Sequence, residues 1–297
     1  MKWFLVTFLV LPLLGNSQLL DNSNGHAFGE LPFFNETFIK NNQIKELKGT
    51  YTYKKLDDIM RPSNYIYRYE FDQEGHLIRS LETRKGVYGT DSLVLFYGYD
   101  VRGNLAYVRK KDNHGYWSTH FEYDSLKRKI KETYRRDIDT AGTLLVPFFE
   151  RSTVLSFETY TYKQTGNQLK KTTYNNYGFP YKEEISYLDS AGFVINKESK
   201  LKMTSEKTTT YYGYNANGWI SKITVENESN PTFNSEVFFK YDTFGNLIEK
   251  QVYENGKHIT EIQLIYNTKD GLISSILIRD VKTSLITILR FEEIKFQ

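Results

Sequence analysis

Rings and polar side chains alternate along most of this chain. In YIYRYEF the four odd positions are Tyr65, Tyr67, Tyr69 and Phe71, and the positions between them are Ile66, Arg68 and Glu70. A period of two places alternate side chains on opposite faces of an extended strand, so the stretch predicts a strand with an aromatic face and a mainly polar face. Such strands run into one recurring signal: YEFDQEGHL from Tyr69, YGYDVRGNL from Tyr97, YGYNANGWI from Tyr212 and FKYDTFGNL from Phe239. Each copy reads aromatic, any, aromatic, Asp or Asn, two variable residues, Gly, any, aliphatic. Looser copies start at Phe121 and Thr161, and shorter Asp/Asn-x-x-Gly matches begin at Asp112, Asp139, Asn175 and Asp189.

The spacing encodes a hairpin. Asp or Asn at the first position of a type I turn accepts backbone hydrogen bonds, and the glycine after the two central residues takes the left-handed conformation. Asp72 with Gly75, Asp100 with Gly103, Asn215 with Gly218 and Asp242 with Gly245 are therefore structural turn residues, forming three-residue loops with a G1 bulge. Counting outward, Asp242 pairs with Asn246, Tyr241 sits opposite Leu247, and Phe239 opposite Glu249. Likewise Phe71 meets Leu77 and Tyr99 meets Leu105. A side chain at Gly245 should be costly, whereas Gly25, outside the repeat, should tolerate one.

From Gly103 onward the glycines, leaving out Gly213 inside YGYN, fall at steps near 13 residues or twice that, as for strands of about 8 residues and loops of about 4. The pattern predicts an all-β protein: a long antiparallel meander of repeated β-hairpins, with about 16 to 18 strands from Tyr51 to the end and no helix. Residues 51–297 form the repeat domain, and residues 18–50, rich in Asn and Gly, an irregular lead-in that covers the first sheet edge. Residues 272–291 are apolar on both sides, which suggests a last hairpin buried on two faces or capping the final edge.

Composition adds an address. Residues 1–17, MKWFLVTFLVLPLLGNS, join Lys2 to an apolar run and then small residues, the layout of a secretory signal peptide cleaved between Ser17 and Gln18. Of 39 basic residues only Lys2 lies there, and with 36 acidic ones the mature chain is near neutral at +2. That balance excludes a nucleic-acid partner, which needs a concentrated basic surface, and no later run is apolar enough to span a membrane. The chain has no cysteine, so disulfides and thiolate chemistry are excluded. With 24 Tyr and 20 Phe against a mean hydropathy of −0.54, much of the sheet should be half exposed.

The repeat resembles the YD-repeat, or Rhs, family, whose signature is Tyr-Asp followed two residues later by Gly, Asn or Arg, and Leu. Tyr99-Asp100 with Gly103-Asn104-Leu105, and Tyr241-Asp242 with Gly245-Asn246-Leu247, match it best. The resemblance covers about residues 65–275 and implies a secreted or surface-exposed, mostly bacterial protein built as a curved or spiralling strip of hairpins. Large relatives close the strip into a shell around a toxic polypeptide, animal relatives act in adhesion, and carbohydrate binding has been proposed for such repeats. This chain is too short for such a shell and lacks the self-cleavage segment and toxin domain.

No catalytic or metal signature accompanies the repeat, and no cofactor is implied. RRDIDTAG comes nearest to a calcium loop, but Ala141 and Phe148 stand where oxygen ligands are needed. The five histidines have no zinc spacing, and the adjacent carboxylates Asp57-Asp58, Glu183-Glu184 and Glu292-Glu293 point to opposite faces of a strand. The candidate ligand contacts are aromatic: Trp117, Trp219, Tyr97 and Tyr212 offer flat faces on which a sugar ring can stack. The expected function is a secreted, periplasmic or cell-surface binding or scaffold module without enzymatic activity, with a carbohydrate or an envelope protein as ligand. The alternatives are an enzyme acting on envelope polysaccharide, a remnant of a toxin-delivery shell, and an outer-membrane barrel. Against the last, neither face of LIEKQVYE is apolar enough for lipid.

Overall fold

A computed structural model describes residues 18–87, 89–112, 115–139, 149–267, 269 and 271–296; the expected signal peptide, Ser17, His114 and Gly142 lie outside them. The described chain forms eighteen strands in one antiparallel sheet. Each strand pairs with the next, and the last, β18 (Leu285–Phe296), pairs with the first, β1 (Ile44–Lys54), in a register that sets Tyr51 opposite Leu289 and Tyr53 opposite Thr287. The meander is thus closed into an eighteen-stranded barrel. A curved or spiralling strip was the expectation, and the β1–β18 ladder corrects it: neither terminal strand is an edge to be capped, because each satisfies the other's backbone.

The turns form as their chemistry requires. Asp242 Oδ1 accepts from the N–H groups of Phe244 at 2.9 Å and Asn246 at 2.8 Å, Gly245 N–H donates to the Asp242 carbonyl at 3.1 Å, and Gly245 has φ +90°. Asp100 and Gly103 repeat the arrangement. Tyr241 lies opposite Leu247 as counted, but Phe239 faces Lys250 rather than Glu249. A second bulge just past the turn, at Ile248, shifts the register by one. The same shift recurs beside Leu77, Leu105 and Ile220, so the repeat specifies a doubly bulged, strongly twisted hairpin.

Facing side chains of the barrel wall divide it into two halves. Inward residues of β1 to β4 (Gly89–Tyr99) and of β13 (Ile220–Asn227) to β18 are mostly apolar, among them Tyr51, Tyr69, Leu95, Tyr97, Phe239, Leu264, Ile276 and Leu289, all buried. The lead-in packs on this half from inside. Leu20 bridges Phe34, and a helix α1 (Glu36–Asn41) follows, its N-terminus capped by the Asn35 side chain bonding Phe38 N–H at 3.1 Å. No helix was expected, and six residues are too few to show a helical period. Leu19, Ala27 and Ile39 are fully buried, so the lead-in fills the barrel rather than covering an edge. Lys250 Nζ holds the Ala27 carbonyl at 2.9 Å and Tyr97 Oη the Glu30 carbonyl at 3.1 Å.

Eighteen strands enclose more volume than their own side chains fill. On the half the lead-in leaves free, β7 (Lys129–Asp139) and β8 (Phe149–Thr165) turn Glu132, Tyr134, Glu158 and Tyr160 inward, and Tyr134 remains 40% exposed. That wall is wet. Outward faces carry cross-strand ion pairs right round the ring, including Lys170–Glu183 at 2.9 Å, Lys240–Glu249 at 2.9 Å and Glu70–Arg79. A lipid-facing barrel needs an apolar outer band instead. Among the described residues no helix is long and apolar enough to cross a membrane.

Candidate ligand-binding cleft

The rim that carries the Asp-x-x-Gly turns is built by a repeated side-chain stack. At three of these turns the residue after the glycine leans on the tyrosine before the next turn: His76 on Tyr99 at 4.3 Å, Phe193 on Tyr214 at 4.9 Å, Trp219 on Tyr241 at 5.3 Å. It also fills the space above the next glycine. A Cβ on Gly218 would meet Phe193 at 3.2 Å, and one on Gly245 would meet Trp219 at 2.6 Å. These glycines serve both a left-handed backbone and a close approach.

Where two successive stacks are aromatic, they face the lead-in across a cleft of about 670 Å³, a volume ordinary for a small-ligand site. Phe193, Tyr214, Trp219 and Tyr241 form the barrel wall, and Gln18, Asp21, Asn22, Ser23, Phe34 and Glu36 the opposite one. The lead-in wall is held in place. Asn22 Nδ2 donates to Tyr241 Oη at 2.9 Å while its Oδ1 accepts from Ala27 N–H at 3.1 Å, and Asp21 N–H bonds the Phe33 carbonyl at 2.8 Å. Burial raises the Glu36 carboxyl above its ordinary pKa; the His76 imidazole, 3.8 Å away, works against this, and Asp72 and Asp21 add to it. One wall therefore offers flat apolar rings and the other carboxylates, an amide and a hydroxyl.

The four aromatics singled out in the sequence have different fates. Trp219 lines the cleft. Tyr97 is buried against the lead-in and Tyr212 is half-buried against the core, so neither offers a free face. Trp117 stands on the wet inner wall, stacked on Tyr134 at 5.8 Å and under the Arg136 guanidinium at 4.1 Å. Asp72, Gly75, Asp100, Gly103, Asn215, Gly218, Asp242 and Gly245 all lie in rim turns. The sequence reading missed Phe193, Tyr214 and Tyr241 as cleft residues. The signal for Phe193 was the position after the turn glycine, which on this rim is aromatic at Phe193 and Trp219 in neighbouring turns and is His76, Asn104 or Asn246 in others, while Tyr214 and Tyr241 are the aromatics before the Asn or Asp of their turns.

Reactive groupings elsewhere have structural partners. Ser118 Oγ lies 3.1 Å from His120 Nε2, but Ser118 is only 1% exposed and Asp137, bonded to Arg109 and Ser152, does not orient the imidazole. Among the described residues no three His, Asp or Glu side chains converge as a metal set. Glu132 and Glu158 are cross-strand neighbours sharing the Tyr160 hydroxyl, at 3.3 and 3.0 Å. They stand side by side on one wall.

No family model and no curated protein matches the chain. Among solved structures it is similar to a porin-like protein from Bacteroides uniformis, with 10% identity over 86% of this chain and 98% of that one, and a TM-score of 0.37. A TcdB2-TccC3-Cdc42 structure shares 12% identity over 75% of this chain and 14% of that chain, at a TM-score of 0.21. A LolA superfamily protein from Nitrosomonas europaea shares 12% over 87% and 90%, at 0.19.

Proposed function

We propose that this chain is an exported, non-enzymatic binding module of the cell envelope and that its ligand is a carbohydrate held in the rim cleft. The observation that carries the reading is the pairing of two walls. Trp219 and Phe193 present rings in successive stacks, and Asp21, Ser23 and Glu36 face them with hydrogen-bonding groups. A sugar has the complementary form, an apolar ring face edged by hydroxyls, and stacking on an aromatic ring removes both from water. The rigid barrel presents the site preformed, which spares the ordering cost of binding. Signal-peptide layout at residues 1–17 supports an address in the periplasm or on the cell surface, and the Tyr-Asp turns support descent from the YD-repeat unit, here closed upon itself.

An enzyme acting on envelope polysaccharide has less support. A glycosidase sets two carboxyls on either side of the scissile bond, whereas Asp21 and Glu36 share one wall of the cleft.

The test is tryptophan fluorescence and calorimetry with a panel of envelope oligosaccharides, using a Trp117→Phe background so that Trp219 reports. A saturable change that Trp219→Ala abolishes and Trp117→Phe retains is the expected result. No saturable response to any glycan in the panel overturns the reading.

A further inference from the structure

We propose that two copies of this chain join through a free strand edge on β8. The barrel is closed, yet its wall is notched. On one side β8 pairs with β7 from Phe149 to Thr159. On the other, β9 (Gln168–Tyr174) is short and its ladder with β8 starts only at Thr159 opposite Tyr174. Residues 149–158 therefore keep one edge without a ladder partner among the described residues. Residues 151–156 are all exposed, with Val154 at 48% and Leu155 at 47%.

A row of unpaired N–H and C=O groups is a template for another strand. Lysine and proline are among the devices that keep natural edges single, and FERSTVLSFE, residues 149–158, has neither. The segment is also complementary to its own reverse. Antiparallel pairing about a two-fold axis sets the aliphatic centre, Val154 and Leu155, against itself, and brings Arg151 of one copy to the Glu158 end of the other. Both side chains point to the inner face, Arg151 opposite Ile138 and Glu158 opposite Glu132. Neither meets an opposite charge among the described residues; Glu158 accepts from Tyr160 and Tyr181. Among the described residues each chain offers one such edge, so the contact is isologous and closes at two copies.

Sedimentation velocity over a concentration series tests this, with Leu155→Lys placing a charge at the centre of the edge. The substitution leaves the single barrel intact, since that side chain is half-exposed; far-UV circular dichroism checks this. The chain contains no cysteine, so Leu155→Cys adds a covalent readout, controlled by Val101→Cys on a fully exposed turn of the opposite rim. The expected result is a dimer that Leu155→Lys converts to monomer, with Leu155→Cys crosslinking under mild oxidation faster than Val101→Cys. A monomer at every concentration, an oligomer that Leu155→Lys leaves unchanged, or equal crosslinking at both sites overturns the proposal.

Discussion

The Tyr99 hydroxyl donates to the backbone carbonyl of Leu77 at 3.0 Å, tying one hairpin to the first residue past the preceding turn. The link recurs from Tyr123 to Leu105, Tyr162 to Lys129, Tyr214 to Val194, Tyr241 to Ile220 and Tyr266 to Leu247, at 2.7 to 2.9 Å. It gives a physical reason for tyrosine rather than phenylalanine before the turn. The rings of Tyr99, Tyr214 and Tyr241 pack on the residue after the previous glycine, and in each link the hydroxyl satisfies a carbonyl that the bulge has pulled out of the ladder. Leu188 stands at the corresponding position without a hydroxyl, and there the neighbouring hairpins are tied the other way, by the Asn167 amide donating to the Leu188 carbonyl at 3.3 Å.

Tyr99→Phe keeps the ring and removes the donor. The stranded carbonyl should cost about 1 to 2 kcal/mol, read as a lower urea midpoint with an unchanged slope. Tyr266→Phe should cost a similar amount, and the pair should add, because the two links lie in separate hairpins.

Alkaline pH should act on all six links together. Burial is the leading cause that raises the pKa of each of these tyrosines above the ordinary phenol value. A group whose folded pKa lies above its unfolded one contributes stability that is fully present below the unfolded pKa and is lost as pH climbs toward the folded pKa. Stability should hold to about pH 9 and fall from about pH 10, where the unfolded phenols ionise. Urea midpoints measured against pH check this, and replacing several ladder tyrosines by phenylalanine should flatten the fall.

The glycine comparison suggested by the sequence needs a different control. Gly25 has φ +70°, and a Cβ there would lie 2.4 Å from Ile223 Cδ1, so it is as intolerant as a turn glycine. Gly166 is the proper reference, with φ +57° and open space around it. Gly166→Ala should cost about 1 kcal/mol from backbone strain alone. Gly245→Ala should cost more, because its Cβ also displaces Trp219 and Gln18. Thermal unfolding of the two variants measures the difference, and equal losses would show that the Trp219 contact is slack.

Local rules were legible in the sequence and long-range ones were not. The Asp-x-x-Gly spacing located the turns at Asp72, Asp100, Asn215 and Asp242, since each is settled within about seven residues. Ring closure sets Tyr51 against Leu289, and no local pattern announces a partner so distant; it follows from twist accumulated over seventeen hairpin connections. The cleft is equally non-local. Asn22 and Tyr241 meet only because the apolar lead-in is drawn into the barrel. Lys250 opposite Phe239 escaped because the bulge at Ile248 depends on backbone geometry that hydrophobic periodicity does not encode.

The last prediction concerns an ion pair on the outer wall. The Asp137 side chain is fully buried and accepts from Arg109 Nε at 2.7 Å and Ser152 Oγ at 2.6 Å, while the guanidinium lies 3.8 Å from the centre of the Phe149 ring. Burial works against the carboxylate charge, but hydrogen bonds from Ser118, Ser152 and Arg109 outweigh it and hold its pKa below the ordinary range. A depressed folded pKa contributes stability that is complete above the unfolded value of about 4 and is lost as pH falls through the folded one. Asp137→Ala strands the Arg109 charge and should cost about 3 to 5 kcal/mol at neutral pH, whereas Asp137→Leu with Arg109→Met removes both charges and should recover most of that loss. Urea midpoints of the three proteins from neutral pH down to about 3 decide the matter: the wild type should weaken as the carboxylate protonates, and the double variant should show a shallower slope. A double variant no more stable than Asp137→Ala would mean that packing around Phe149, and not charge, holds this part of the wall.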